Sequence, residues 1–166
     1  NLIDITKNYN LSGVEFPFDK IFTIKEINKG IEEINNLIKS DIKLFIDFEK
    51  IDQVYFREVI PKLANIGINI FRIKMNHIGK VFYGGNRYGS QLFKESYEKF
   101  TNDLIELLPI LKDYNSIAVI ENHQDLHYEE LRAIIENISA KHFGVNWDIG
   151  NSFSVCDTPE TFFKNC

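Results

Sequence analysis

Short runs of β-branched and aromatic residues alternate along the chain with longer segments in which apolar side chains recur every three or four positions. Residues 13–16 (Gly-Val-Glu-Phe) read as the first strand. Thr23-Ile-Lys-Glu26 is a capping-box sequence, whose hydroxyl and carboxylate satisfy each other's backbone amides. It opens a helix with Ile24, Ile27, Ile31, Ile34 and Ile38 in one stripe. Residues 43–48 (Lys-Leu-Phe-Ile-Asp-Phe) form the next strand. Helical spacing follows at Val54, Val59, Ile60 and Leu63, and Gly67 suits the left-handed position after a helix end. Pro61 inside that segment predicts a kink or a late start. Residues 68–75 read as a strand and 76–89 as a Gly-rich loop. Ser90 caps a helix running to Asp113, with Phe93, Phe100, Leu104 and Leu111 in its stripe and Pro109 expected to bend or shorten it. A strand over 117–121, a helix over 128–139 and a strand over 143–148 complete the series. Thr158-Pro159-Glu160 then has the cap and first-turn proline of a new helix.

Alternation of this kind means an α/β fold of parallel strands joined by crossover helices, because parallel neighbours cannot be linked by a tight hairpin. Two architectures accept it, an open doubly wound sheet and a (β/α)8 TIM barrel, and periodicity does not separate them. In both, ligands bind at the carboxyl ends of the strands. Those ends carry Glu15, Asp47 with Glu49, Lys74, Glu121 with His123, and Asp148 with Asn151. Carboxylates gathered at one mouth repel each other unless a cation or a shared proton offsets them, so the joint pattern points to a site. If the extended conformation continues past Glu121, His123 points to the same side.

Composition narrows the partners. Nineteen Lys and Arg against 24 Asp and Glu give a net charge of −5 without a basic run, so no nucleic acid is expected and a small molecule is the better ligand. No apolar run is long enough for a membrane span. Two cysteines, Cys156 and Cys166, imply no disulfide scaffold and suit a reducing, cytoplasmic setting. The chain begins on Asn1 rather than Met and stops soon after a helix start, which suggests a single domain over 1–166 that is part of something longer.

The strand end Glu121-Asn-His123, followed by Gln-Asp-Leu-His-Tyr-Glu-Glu-Leu, and the strand end Asp148-Ile-Gly-Asn151-Ser resemble the sugar phosphate isomerase/epimerase family, which has the xylose isomerase-like TIM barrel. Gly13-Val-Glu15-Phe-Pro17 looks like that family's second strand and Phe71-Arg72-Ile73 its fourth, so about strands 2–6 of a barrel are expected here. The resemblance implies a metal-dependent isomerase or epimerase of carbohydrate metabolism, with one divalent ion (Mn, Mg, Co or Zn) and a sugar-like small-molecule substrate. Glu121 and Asp148 look like two of its four metal ligands, with both carboxylates in the catalytic step and Glu121 as an acid/base group. The two remaining ligands are expected after Cys166. His123, Asn151, Glu15, Arg72 and Arg87 are candidate substrate contacts, and Lys74 a candidate for the pocket floor. Several members carry His where this chain has Asn151, and the Asn weighs against a multi-metal phosphodiesterase.

The implied chemistry is proton transfer beside a carbonyl through an enediolate, with carboxylates whose pKa values are raised in a closed apolar mouth. Trp147, Phe82, Tyr83 and Tyr88 are candidate walls, and the loop carrying Arg87 a candidate lid and anion contact. Among the remaining histidines, His77 follows a strand end, His127 reads as a helix cap and His142 as a surface residue. Two alternatives stand beside the isomerase reading: an apurinic endonuclease-like metal phosphodiesterase, and a non-catalytic small-ligand-binding relative. A homo-oligomer is compatible with all three.

Overall fold

The computed structural model describes residues 2–40, 42–75, 87 and 89–165. Phe82, Tyr83, Tyr88 and His77 lie outside that set. Five strands form one parallel sheet in the order of the chain: β1 (Gly13–Pro17), β2 (Lys43–Asp47), β3 (Ile70–Ile73), β4 (Ile117–Glu121) and β5 (Phe143–Asn146). Among the described residues the order never reverses and shows no switch point of the doubly wound kind; the sheet is the consecutive parallel series of a barrel wall. Between strands run α3 (Ile27–Lys39), α4 (Gln53–Asn65), α5 (Gln91–Asp113) and α6 (Tyr128–Ile138). Short helices flank them: α1 (Leu2–Asn8), α2 (Phe18–Ile21), α7 (Ile149–Ser152) and α8 (Pro159–Asn165). No helix among the described residues is long and apolar enough to cross a membrane.

Strand alternation divides the side chains between two faces. Phe16, Ile46, Phe71, Ile73, Ala118, Ile120 and Phe143 are all buried and belong to the helix-covered core. Aromatic rings fill its first half. Phe48 packs edge-on against Phe56 at 4.9 Å and Phe71 at 5.4 Å, while Phe18 and Tyr55 close around it and Phe22 packs on Phe18. The residues between these, Glu15, Asp47, Arg72 and Glu121 among them, are thereby directed to the other face.

Local chemistry explains the element boundaries. The Glu26 carboxylate accepts from both the amide and the hydroxyl of Thr23, but this box caps a 3-10 turn, Ile24–Glu26, and α3 starts one residue later. In the Ile stripe, Ile27 and Ile34 are buried while Ile24 and Ile38 stay exposed. Pro61 and Pro109 are carried inside continuous helices. The carbonyls they free, four residues earlier at Arg57 and Ile105, belong to exposed residues and can be hydrated. Gly67 has φ +85°, as its place after α4 requires.

Candidate active site

Arg72, in the middle of β3, gathers the carboxylates of its neighbours. Its Nε donates to Asp47 Oδ1 at 2.9 Å, and its Nη2 lies 2.8 Å from Asp47 Oδ2 and 2.6 Å from Glu15 Oε1. Its Nη1 lies 3.3 Å from Glu121 Oε2. Register explains the grouping, since Asp47 pairs directly with Arg72, and β4 continues two positions past Arg72's partner Val119 to Glu121. The guanidinium is therefore shared by strands on both sides. These carboxylates hold the Arg72 guanidinium well above its ordinary pKa although burial works the other way.

Glu121 is buried, at 4% exposure. Its Oε1 accepts from Asn151 Nδ2 at 3.4 Å; its buried Oε2 accepts no hydrogen bond, the geometry of the Arg72 contact being that of an ion pair alone. Burial pushes the Glu121 carboxyl above its usual range, against the pull of Arg72, His123 and Lys74 and with help from Asp47. Asp148, beyond the last paired residue of β5, is exposed and caps α7, its Oδ1 accepting from Gly150 N at 2.9 Å. Its main chain is held from β4: the Asp148 amide donates to Asn122 Oδ1 at 2.7 Å, and Asn122 Nδ2 donates to the Asp148 carbonyl at 3.0 Å.

The remaining cations near this mouth are paired as well. Lys74 and Lys20 hold the two oxygens of Glu49 at 2.9 Å and 2.8 Å. Burial would raise the Glu49 carboxyl, but these two ammonium groups keep it below its ordinary value. Asp19 accepts from the amides of Glu49 and Lys50, and burial outweighs those bonds to raise its carboxyl.

Several sequence expectations change here. His123 does not extend β4: the strand ends at Glu121, and the Gln124 amide donates to the Asn122 carbonyl at 2.8 Å, a tight turn centred on His123, with Gln124 at φ +60°. Trp147 is no wall of the mouth; its indole stacks on Phe162 of α8, 5.3 Å apart and 3° from parallel, on the core side. Arg87 is buried, paired through both Nη atoms with Glu130 at 2.6 Å and 3.1 Å, bonded to the Asp125 carbonyl and seated over the Phe93 ring. Its guanidinium thus joins α6 rather than the Glu121 group. His127 does cap α6, accepting from the Glu129 amide, and also meets the buried Asp157 at 2.6 Å. His142 is buried rather than on the surface, tied to the Ser116 carbonyl at 3.0 Å beside the β4–β5 pair. Asn122 and Ser152 were not among the sequence candidates. The signal for Asn122 was a buried amide type immediately after a strand-end carboxylate.

As donors for a hard divalent cation, Glu121 and Asp148 offer carboxylate oxygens from adjacent strands, and the Glu121 Oε2 without a hydrogen bond is the kind of atom such an ion would satisfy. They would supply two positions of a coordination shell. Among the described residues no group of three His, Cys, Asp or Glu converges to hold a metal.

Residues 55–164 match the family model described as xylose isomerase-like TIM barrel. The chain belongs to that family. Solved structures of the same fold include apo 3-keto-D-glucoside 4-epimerase YcjR from E. coli, with a TM-score of 0.73 and 13% identity over 98% of this chain. A putative sugar phosphate isomerase/epimerase from Anabaena variabilis has a TM-score of 0.62 and 13% identity over 99% of this chain. D-psicose 3-epimerase, in the presence of D-fructose, has a TM-score of 0.61 and 12% identity over 92%. The chain spans 68%, 61% and 58% of those three chains. At such identities the likeness is one of fold. No curated protein matches this xylose isomerase-like chain by sequence.

Proposed function

We propose that this xylose isomerase-like chain carries one side of an isomerase or epimerase site for a sugar or related hydroxy-carbonyl compound, with Glu121 as the proton-transferring carboxylate and Asp148 beside it. The observation that carries the reading is the buried Glu121 carboxyl, raised by its surroundings and left with one oxygen accepting no hydrogen bond, at a strand end facing the mouth. A raised carboxyl is a stronger base than an ordinary one and can both take and return a proton, which removal and replacement of a hydrogen beside a carbonyl requires. Asn151, bonded to the other oxygen, fixes the direction in which that proton is exchanged. A divalent ion held by Glu121 and Asp148 would supply positive charge to the carbonyl and adjacent hydroxyl oxygens as the proton leaves. Arg72 keeps Asp47 and Glu15 from adding uncompensated charge beneath Glu121.

Pairing of Arg72, Lys74 and Lys20 with carboxylates supports an uncharged substrate over a phosphodiester, since these cations are already taken up. The test is deuterium incorporation. The purified protein is incubated in D2O with Mn, Mg, Co or Zn and a panel of ketoses, aldoses and keto-glycosides, and exchange at carbon is read by mass spectrometry. Exchange that vanishes in Glu121→Gln, with the fold retained, is the expected outcome. Absence of exchange with every metal and sugar, or undiminished exchange in the variant, overturns the assignment.

A further inference from the structure

Beyond the last paired residues of the β4–β5 ladder, Glu121 and Asn146, nothing in the ladder itself holds the backbone of Asp148. The side chain of Asn122 takes over that task. A primary amide presents one carbonyl and one NH2 in a plane, much as a peptide unit does, and Asn122 uses both on the same residue: Oδ1 accepts from the Asp148 amide at 2.7 Å and Nδ2 donates to the Asp148 carbonyl at 3.0 Å. The second Nδ2 hydrogen reaches Ser152 Oγ at 3.3 Å. Asn122 is 1% exposed and Ser152 fully buried, so these bonds stand in for water that cannot enter, and losing one leaves a buried polar group unpaired. Ser152 Oγ also accepts from Trp147 Nε1 at 2.9 Å, which ties the amide to the single tryptophan of the chain. In return, Asn151 of α7 donates to Glu121 of β4, so each of the two strand ends is held by an asparagine belonging to the other.

We propose that Asn122 is a positioning residue that sets Asp148 against Glu121, and that Ser152 transmits the state of Asp148 to Trp147, making its fluorescence a reporter of the site. This rests on the reading of Glu121 and Asp148 as the working carboxylates. A merely structural asparagine would affect the stability of the turn and leave ion binding by Asp148 unchanged once the protein is folded. A positioning asparagine changes ion binding in folded protein.

The experiment titrates Mn2+ into the purified protein, following free ion by electron paramagnetic resonance and Trp147 emission in parallel. In the wild type the two signals should give one dissociation constant. Asn122→Ala should weaken Mn2+ binding by about tenfold or more, the scale on which partners of metal ligands act, with the near-ultraviolet circular dichroism of the core retained. Ser152→Ala leaves the Asn122–Asp148 bonds in place, so its Mn2+ affinity stays near wild type while the emission response is lost. If Asn122→Ala does not fold, Asn122→Ser, whose hydroxyl cannot span both Asp148 groups, takes its place. Wild-type Mn2+ affinity in a folded Asn122 variant overturns the positioning role, and an unchanged emission response in Ser152→Ala overturns the relay. If the wild type binds none of Mn, Mg, Co or Zn, the metal reading falls by itself, and amide exchange decides on Asn122: slow exchange at Asp148 that becomes fast in the variant supports the clamp, and fast exchange in the wild type overturns it.

Discussion

Arg72→Met is the most informative single change, because it removes a charge and leaves an apolar stem of similar length. In the native protein one guanidinium serves Asp47, at 3% exposure, and Glu121, at 4%, from distances of 2.8–2.9 Å and 3.3 Å. Glu15, whose side chain is 47% exposed, adds little, since surface pairs contribute about 0–1 kcal/mol. Removing one partner of a buried pair costs about 3–5 kcal/mol, because the other charge stays buried without compensation. For a chain of this size that is a fall of about 6–20 °C in Tm, or about 2 M in the urea midpoint. The loss should depend on pH. Glu121 already has a raised carboxyl, and Arg72 is the first of the cations that oppose the rise. A raised folded-state pKa gives stability that is present below the unfolded value and lost as pH rises through the folded one, so the variant should lose more at pH 7 than at pH 5. Urea unfolding followed by circular dichroism at both pH values measures this, with Glu15→Gln as the control expected to stay within about 1 kcal/mol of wild type. A loss below about 1 kcal/mol at pH 7, or one equal at the two pH values, would refute the view that Arg72 compensates buried charge.

Other expectations follow from packing and from the same carboxylate. Gly30→Ala should destabilise although alanine favours helix, since its Cβ would lie 2.5 Å from Phe22 Cδ2 and 2.7 Å from Phe18 Cζ; the overpacking, about 1–3 kcal/mol, exceeds a propensity gain of about 1 kcal/mol. A rise in the urea midpoint would show that the two rings can move aside. Phe48→Ala should cost about 3–5 kcal/mol in urea unfolding, because its ring is fully buried among Phe18, Tyr55, Phe56 and Phe71. Val54→Ala, at an exposed position of α4, should stay within about 0.5 kcal/mol by the same measurement. Glu121→Gln should gain in Tm relative to wild type as pH rises from the unfolded carboxyl value of 4.5 through the raised folded one, since only the wild type must ionise a buried acid. A Tm difference that is flat with pH would contradict the raised carboxyl.

Alternation of strand and helix was legible in the sequence because each crossover unit satisfies its own local rules: a stripe at helical spacing, a cap before it and a β-branched run after it. Ser90 accepts from Phe93 N at 3.3 Å, and His127 caps α6, both as their positions suggest. What sequence could not decide was the order of the strands, since it depends on contacts between units that periodicity does not encode. Trp147 shows a similar limit. An aromatic next to a strand-end aspartate fits a mouth wall or the core equally well by composition, and strand alternation decides it, because Trp147 shares the core parity of Phe143 while Asn146 shares the other face. The buried polar residues were the hardest to read. His142, Asn122 and Ser152 look like surface types, and each is buried because a backbone group or another side chain nearby needs a partner.

The strand-end acids were readable as a group, and so was the need for a cation among them; the identity of that cation was not. Part of the answer lies inside the chain. Arg72 compensates Asp47 and Glu15, and Lys20 with Lys74 compensates Glu49, so these acids make no further demand on a ligand. The demand is concentrated instead on Glu121, which shares Arg72 at the longest of its contacts, keeps one oxygen that accepts no hydrogen bond, and has its carboxyl raised. Asp148 follows the neighbouring strand β5, on an exposed turn whose backbone is pinned from β4. Among the strand-end acids, Glu121 is thus the buried one with a raised carboxyl and an oxygen that accepts no hydrogen bond. That selection, rather than the number of carboxylates at the mouth, separates Glu121 from its neighbours as the group to test first.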